Sequence, residues 1–544
     1  MKKNLSSTVT AVFLIVFSFS IKCNTLYSQS KTTSDLWGEN GELWDSRGRL
    51  SDFSYAGYGG GYAVKPSFDN IINVLDHGVV ANDGLSDVVA IDAIIRSAPN
   101  NSIIFFPAGR YVIDDWLKIE RSNIVIRGEG EGTDGTVFYM PKSATDINGS
   151  HQGTFATGDR GHIIEFFGRF SSKVTTITEE ALRGDKVIIV ESANGLNTGD
   201  IIEINANADE NPVNGDLWHE YFNNQSPDWP LPHRSWLSAD GGSMFHTIEK
   251  IEGNIVTLRE PLRLNIKPSW VMEVQKRNSA LTNVGIENLR VEFINVPKLD
   301  HLDEVGYNAI QFNSCYNFWS NNISIVNSDN GILVTRSAYG EIENTTMLGR
   351  EGHHGFKIAY SANNVINVTH FNNAKAHIHS VTIIHKANGN VVRNISADNS
   401  VNDNTISLDF HRNAPFSNLW TDIRSPWSLK SSGHPEAGPH AGAHNVYWGL
   451  VGESTPLHWG NINDWRKRWG EYTNTLVSGL QGGEIFTEER EWYEDVPNLA
   501  EKDLYVIQQR YHTQVIPELV FNNGTYGNRG DWKERELWDK YMEA

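Results

Sequence analysis

A chain of 544 residues with 66 Asp and Glu against 46 Lys and Arg carries a formal charge of −20. That balance argues against nucleic acid as the general partner, because phosphate binding needs clustered Lys and Arg. Forty-seven glycines, 17 tryptophans and a mean hydropathy of −0.40 describe a turn-rich β protein with many planar side chains, and its length suits either several domains or one long solenoid.

Lys2 and Lys3 precede an apolar stretch from Val9 to Ile21 and a polar segment ending near Gln29. This is the pattern of a secretory signal peptide over 1–29, too short to span a membrane, and it predicts a secreted or periplasmic protein with no membrane span. Cys23 raises lipidation, but Lys22 stands where a small residue is wanted. Without the leader only Cys315 remains, so packing and backbone hydrogen bonds must hold the fold without an intramolecular disulfide.

Residues 30–66 read as an extended, Gly-rich and aromatic lead-in, and 67–169 as the first coils of a solenoid. Asp76-His-Gly78 and Asn82-Asp-Gly84 are turn signals, and Ser86 is placed to cap a short helix whose Val88, Ile91, Ile94 and Ile95 share one face. Such a helix plugs the open end of a solenoid, which otherwise exposes unpaired strand edges. Strands follow at 103–106, 111–113 and 124–126, and the glycines from Gly128 to Gly132 lack the spacing of a phosphate loop. Residues 170–278 break the period with hairpin-like strands and read as an inserted β subdomain. Its Trp- and Pro-rich stretch from 217 to 243 offers His233, Arg234 and Trp236 as substrate-binding candidates.

From 279 to 430 an asparagine returns every 22 to 34 residues before a strand-like run: Asn288, Asn322, Asn344, Asn367, Asn394 and Asn418. Asparagine tolerates left-handed backbone and can hydrogen-bond its stacked neighbour, which suits the corner of a coil repeated along an axis. Four of these corners also read as glycosylation signatures, but their regular spacing favours a structural ladder. The fold class expected is all-β, a right-handed parallel β-helix with an N-terminal capping helix and an inserted β subdomain, closed by a C-terminal cap over 431–544.

The stretch Asp76-His-Gly, Asn-Asp-Gly84, Phe106-Pro-Ala-Gly-Arg-Tyr111 and Ile126-Arg-Gly-Glu-Gly130 resembles the opening coils of the pectate-lyase-like superfamily. That resemblance implies carbohydrate chemistry without choosing among lyases, hydrolases and depolymerases. In general layout the chain resembles the uronate-active lyases and dehydratases of marine Bacteroidetes that use ulvan. The Asp-rich Ca²⁺ site and Arg base of pectate lyases do not map onto it residue by residue, which puts pectin in doubt.

Ten of the 19 histidines fall between 353 and 444. Setting Thr335, Tyr360, His385 and Phe410 equivalent gives three spacings of 25, with Leu333, Ile358, Ile383 and Leu408 facing inward. His354 then stacks with His379 at the strand entrance, Tyr360 neighbours His385, and Lys386 neighbours His411 at the exit beside Asp409 and Arg412. Arg336 lies two coils away. Stacked cations repel unless something anionic occupies the face. The catalytic candidates are therefore His385, Tyr360, Lys386, His411, Arg412, Asp409 and His354, with Arg336 and His379 as substrate-binding residues. An acidic polysaccharide or oligosaccharide fits them as substrate: β-elimination at a uronate needs its carboxylate neutralised while a base removes the C5 proton. The alternatives are a glycoside hydrolase with paired carboxylates, for which Asp409 is the best single candidate, and a non-catalytic glycan binder. No cofactor is required, although the acidic loop Asp300, Asp303 and Glu304 could take Ca²⁺.

Overall fold

The computed structural model describes residues 31–169, 172–206, 216–221, 243–373, 375, 377–398, 406–425, 429–432, 441–452, 457–458, 475–478, 485–486 and 492–515. The leader and the sugar-binding candidates His233, Arg234 and Trp236 lie outside these residues.

Among the described residues two parallel sheets wind as a right-handed β-helix, one of 15 strands and one of ten. In the ten-stranded sheet Leu117–Ile119, His162–Phe167, Asn308–Asn313, Asn330–Thr335, His354–Ala359, His379–Ile384 and Ile406–His411 stack in that order. Side chains alternate along each strand, so register decides which residues share a face. Phe166, Phe312, Val334, Ile358, Ile383 and Phe410 form one inward column and are almost wholly buried. Burying each such side chain stabilises the fold by about 1.5–3 kcal/mol. The column turned away from the core runs Glu165, Gln311, Leu333, Lys357, Thr382 and Asp409.

This register differs from an even repeat. Thr335, Ala359, Ile384 and His411 are the true equivalents, because the coils measure 24, 25 and 27 residues. Leu333 therefore faces away from the core instead of into it, and Leu408, which does face in, pairs with Val381. Asp409 lies beside Thr382 instead of Ile384.

Asparagine serves two separate columns. Asn288, Asn322, Asn344 and Asn394 take left-handed backbone, with φ between 48° and 55°, at a bend within the strands of the larger sheet. Asn367 falls one residue short of that bend, and Val368 takes the left-handed position in its coil with φ 49°. Asn418 belongs elsewhere, to a buried ladder in which Asn364, Asn390 and Asn418 each donate an amide N–H to the next side-chain oxygen, ending on Asn445, at 2.9–3.0 Å. Each amide also donates to a carbonyl within its own coil, so one side chain ties together two turns of the helix.

The helix Val88–Ser97 covers the N-terminal end with Val88, Ile91, Ile94 and Ile95 buried. Its N-cap is Asp87 and not Ser86, whose hydroxyl bonds Asp114 instead. Between His162–Phe167 and Leu281–Phe293 the chain forms a six-stranded antiparallel sheet with its own apolar core, and Phe416 of the β-helix packs into that core. At the other flank the helix Leu504–Val515 packs with the lead-in: Gln508 accepts from the Phe53 N–H and donates to the Ser51 carbonyl, and His512 meets Asp52 at 2.8 Å. No helix among the described residues is long and apolar enough to cross a membrane.

Candidate active site

Where the chain leaves five neighbouring strands of the ten-stranded sheet the first residue is left-handed, joined by Lys386 after His385 and by Asn413 and Ala414 after Arg412. Successive coils place Ser314, Arg336, Tyr360, His385 and Arg412 there, with φ between 48° and 59°. Left-handed backbone costs a residue with a Cβ about 1–2 kcal/mol, and glycine would avoid that cost. Arg336, Tyr360, His385 and Arg412 thus present long side chains from corners that carry this cost. Tyr360 and His385 stack with ring centroids 4.6 Å apart and planes 9° apart, and the Arg336 guanidinium sits 4.8 Å from the Tyr360 ring centre. The Asn413 amide nitrogen lies 2.8 Å from His385 Nδ1, which fixes the ring and leaves Nε2 for a ligand. Burial, reinforced by the charge of Lys357, pushes His385 down to about 3, so its imidazole is neutral at physiological pH. Arg412 is exposed at the end of this row.

Lys357 stands in the outward column one coil before Thr382 and two before Asp409. Its ammonium is almost buried, donates to the Thr157 carbonyl at 3.0 Å and pairs with Asp159 from the loop before His162. Burial works to raise the Asp159 carboxyl, but Lys357 outweighs it and holds the acid low, at about 2. His162, buried beside this pair, is pushed down to about 3 by burial and by Lys357. Cation, carboxylate and neutral imidazole thus meet where neighbouring coils face the same way.

The strand entrances carry a different set. His354 stacks on His353 at 4.3 Å and on His379 at 4.9 Å, and its Nδ1 lies 3.0 Å from the Asn330 side-chain oxygen. Asp409 is fully buried and meets His379 Nδ1 at 2.8 Å, His411 Nδ1 at 3.5 Å and the Thr382 hydroxyl at 3.2 Å. Burial opposes its ionisation, but the two imidazoles hold its carboxyl far below the usual carboxylate range. Burial lowers His354 well below its ordinary value and lowers His353 and His411 as well, which favours the neutral form of these three rings.

Of the residues singled out by spacing, the structure unites His354 with His379 at the entrance and Tyr360 with His385 at the exit. It places Asp409 and His411 between these groups. Lys386 is not beside His411: its backbone pairs with Asn413, and its buried ammonium lies 5.7 Å from the Tyr221 ring centre, toward the inserted sheet. The two-residue drift of the last coil accounts for this displacement. The acidic loop does not converge for Ca²⁺ either. Glu304 turns inward to Lys298 and His353, while Asp300 and Asp303 meet through their backbones.

Spacing missed Lys357, Asp159, His162, His301 and His353, and singled out Glu304 only for Ca²⁺. A charged Lys357 between the core residues Phe356 and Ile358 was the one local signal. Asp159 arrives from 198 residues away and leaves none.

Residues 71–208 match the family model described as rhamnogalacturonase A/epimerase, pectate lyase-like. No curated protein matches. Among solved structures, the chain is similar to the tailspike protein gp49 from Pseudomonas phage LKA1, at 13% identity over 77% of this chain and 72% of that one, with a TM-score of 0.48. It is also similar to a hyperthermoactive exopolygalacturonase from Thermotoga maritima, at 10% identity over 79% and 92% with a TM-score of 0.36. An iota-carrageenase complexed to iota-carrageenan fragments matches at 9% identity over 82% and 95%, with a TM-score of 0.37.

Proposed function

We propose that this is an exported carbohydrate-active enzyme that performs β-elimination at the uronic acid residues of an acidic polysaccharide or oligosaccharide such as ulvan. The observation that carries the reading is the strained corner row: Arg336, Tyr360, His385 and Arg412 on successive coils, with a buried Lys357 acting on the same imidazole. The pectate-lyase-like match over residues 71–208 supports carbohydrate chemistry.

In the reaction, Lys357 and Arg412 oppose the charge that builds on the uronate carboxylate as the C5–H bond breaks. His385 takes the C5 proton, and the electron pair becomes the C4–C5 double bond. The C4–O bond then breaks, and Tyr360 gives its hydroxyl proton to the departing oxygen. A sugar leaving from C4 cleaves the chain; hydroxide leaving as water dehydrates a non-reducing end. Burial and neighbouring cations keep His385 neutral in the free protein. An arriving carboxylate offsets those cations and raises the basicity of the ring at the moment it is needed.

Stacked rings place acid and base on one side of the sugar. Removal of H5 and O4 from the same face suits a uronate in which both lie on that face, as in glucuronate, and disfavours galacturonate.

Hydrolysis is the second reading, favoured by Glu165, whose carboxyl burial raises. Glu165 is three register steps from Lys357 and five from Asp409. At about 4.8 Å per step this puts it roughly 14 and 24 Å away. A hydrolase wants its two carboxylates about 5 to 9.5 Å apart. Asp409 is also held ionised in full burial and Asp159 is held in an ion pair, so neither is an available general acid.

The test is turnover on glucuronate-containing and galacturonate-containing polymers with the ultraviolet absorbance of the unsaturated product as readout. Absorbance gained on the former supports the reading; new reducing ends without absorbance would move the protein to the hydrolases.

A further inference from the structure

The geometry points to a transition-metal site of the Zn²⁺ class, formed by His301, His353 and His379 at the strand entrances. One ligand nitrogen from each of these residues lies within 4.8 Å of the other two. His301 Nε2 and His353 Nε2 are 3.3 Å apart. Two nitrogens bound tetrahedrally to one Zn²⁺ at about 2.05 Å lie about 3.3 Å from each other. Three elements supply the ligands: the loop after Leu281–Phe293, the residue before His354–Ala359, and the first residue of His379–Ile384.

The surroundings give a second, independent reason. A histidine that binds metal through one nitrogen usually directs the other to a carboxylate, which orients the ring and raises its basicity. His379 Nδ1 meets Asp409 at 2.8 Å, and His353 Nδ1 meets Glu304 at 3.5 Å. Both carboxylates are fully buried, and Glu304 is itself held by Lys298 and by the Leu302 backbone N–H. Both imidazoles thus have a buried acid on the Nδ1 side, and His353 turns Nε2 toward His301 Nε2. Nitrogen donors select a transition metal over Ca²⁺ or Mg²⁺. His301 is exposed, so the fourth position opens to solvent, where water or a substrate oxygen completes the tetrahedron.

A competing set, His379, Asp409 and His411, shares His379 but would take Asp409 as a direct ligand. That arrangement leaves His301 and His353 idle and removes the carboxylate support from His379.

This inference does not rest on the proposed reaction, and its test reads metal alone. The full chain is stripped with chelator, dialysed and titrated with Zn²⁺ by calorimetry, with bound metal counted by elemental analysis. One Zn²⁺ per chain is expected. His301→Ala and His353→Ala should each weaken binding at least 100-fold, and Glu304→Gln by about 10 to 100-fold. His411→Ala and the surface control His151→Ala should leave it intact. His301→Ala sits in an exposed loop, and an unchanged melting transition verifies its fold. X-ray absorption should report nitrogen ligands at about 2.0–2.1 Å. Absence of saturable binding, survival of binding in folded His301→Ala, or its loss in His411→Ala would overturn the site.

Discussion

The two ends of the same strands carry opposite chemistry. At the entrances, His353, His354 and His379 stack, with Nδ1 of each facing an oxygen of Glu304, Asn330 or Asp409. At the exits, Arg336, Tyr360, His385 and Arg412 occupy strained left-handed corners with their charges and rings turned to a common row. One end is a set of lone pairs with anionic backing, suited to a cation. The other is a set of cations around a neutral base, suited to an anion. A six-residue strand separates them, so an extended anionic sugar could meet both.

The largest expected effect would break this contrast if it failed. His385→Ala and Arg412→Ala should each lower turnover by roughly 10² to 10⁴-fold, the usual contribution of an acid–base group or a charge stabiliser, with melting unchanged. His354→Ala at the other end should leave far more turnover while lowering the melting temperature. Equal losses of turnover at the two ends would dissolve the division of labour.

A second effect is on stability against pH. Burial pushes His162, His377 and His385 down to about 3 and His246 to about 4. Their folded-state values lie below the ordinary histidine value, so the unfolded chain binds these protons first as pH falls. The stabilisation is full above about pH 6.5 and is lost as pH drops toward the folded-state values, at up to about 1.4 kcal/mol per group per unit. Each group should therefore withdraw about 2 kcal/mol by pH 5. Melting temperature measured from pH 7 to 4.5 should fall steeply; a flat profile would mean these rings are not buried neutral. His385→Gln should flatten the profile in part, which ties one share of the effect to the exit corner.

The smallest effect separates the two asparagine columns. Asn390→Ala, in the buried ladder, strands amide and carbonyl partners in two coils and should cost roughly 1 to 3 kcal/mol in denaturant unfolding. Asn344→Ala removes one bond at a partly exposed bend and should cost under about 1 kcal/mol. Equal costs would remove the distinction.

The fold was legible because each coil repeats the same demands: an apolar run, a polar corner and a residue tolerant of left-handed backbone. Asn288, Asn322, Asn344 and Asn394 announced that period directly. The site was half legible. Tyr360 over His385 and His354 over His379 followed from a coil of 25 residues, but the next coil holds 27, and that drift moved Lys386 and Asp409 to other neighbours. A slip of one residue exchanges the two faces of a strand, so an error too small to disturb the fold reassigns the chemistry. Lys357 was overlooked although Ile358 beside it was already set inward. Asp159 was hidden because a loop delivers it, and loop geometry leaves no period to read.

The most direct test of the central claim is the product formed from a glucuronate-containing oligosaccharide by the purified protein, followed by mass spectrometry and ultraviolet absorbance together. The account predicts a new C4–C5 double bond, seen as rising absorbance with either chain cleavage or loss of one water, and its disappearance in His385→Ala. New reducing ends with no absorbance, abolished by changing Glu165 or Asp409 and not by changing His385, would contradict it.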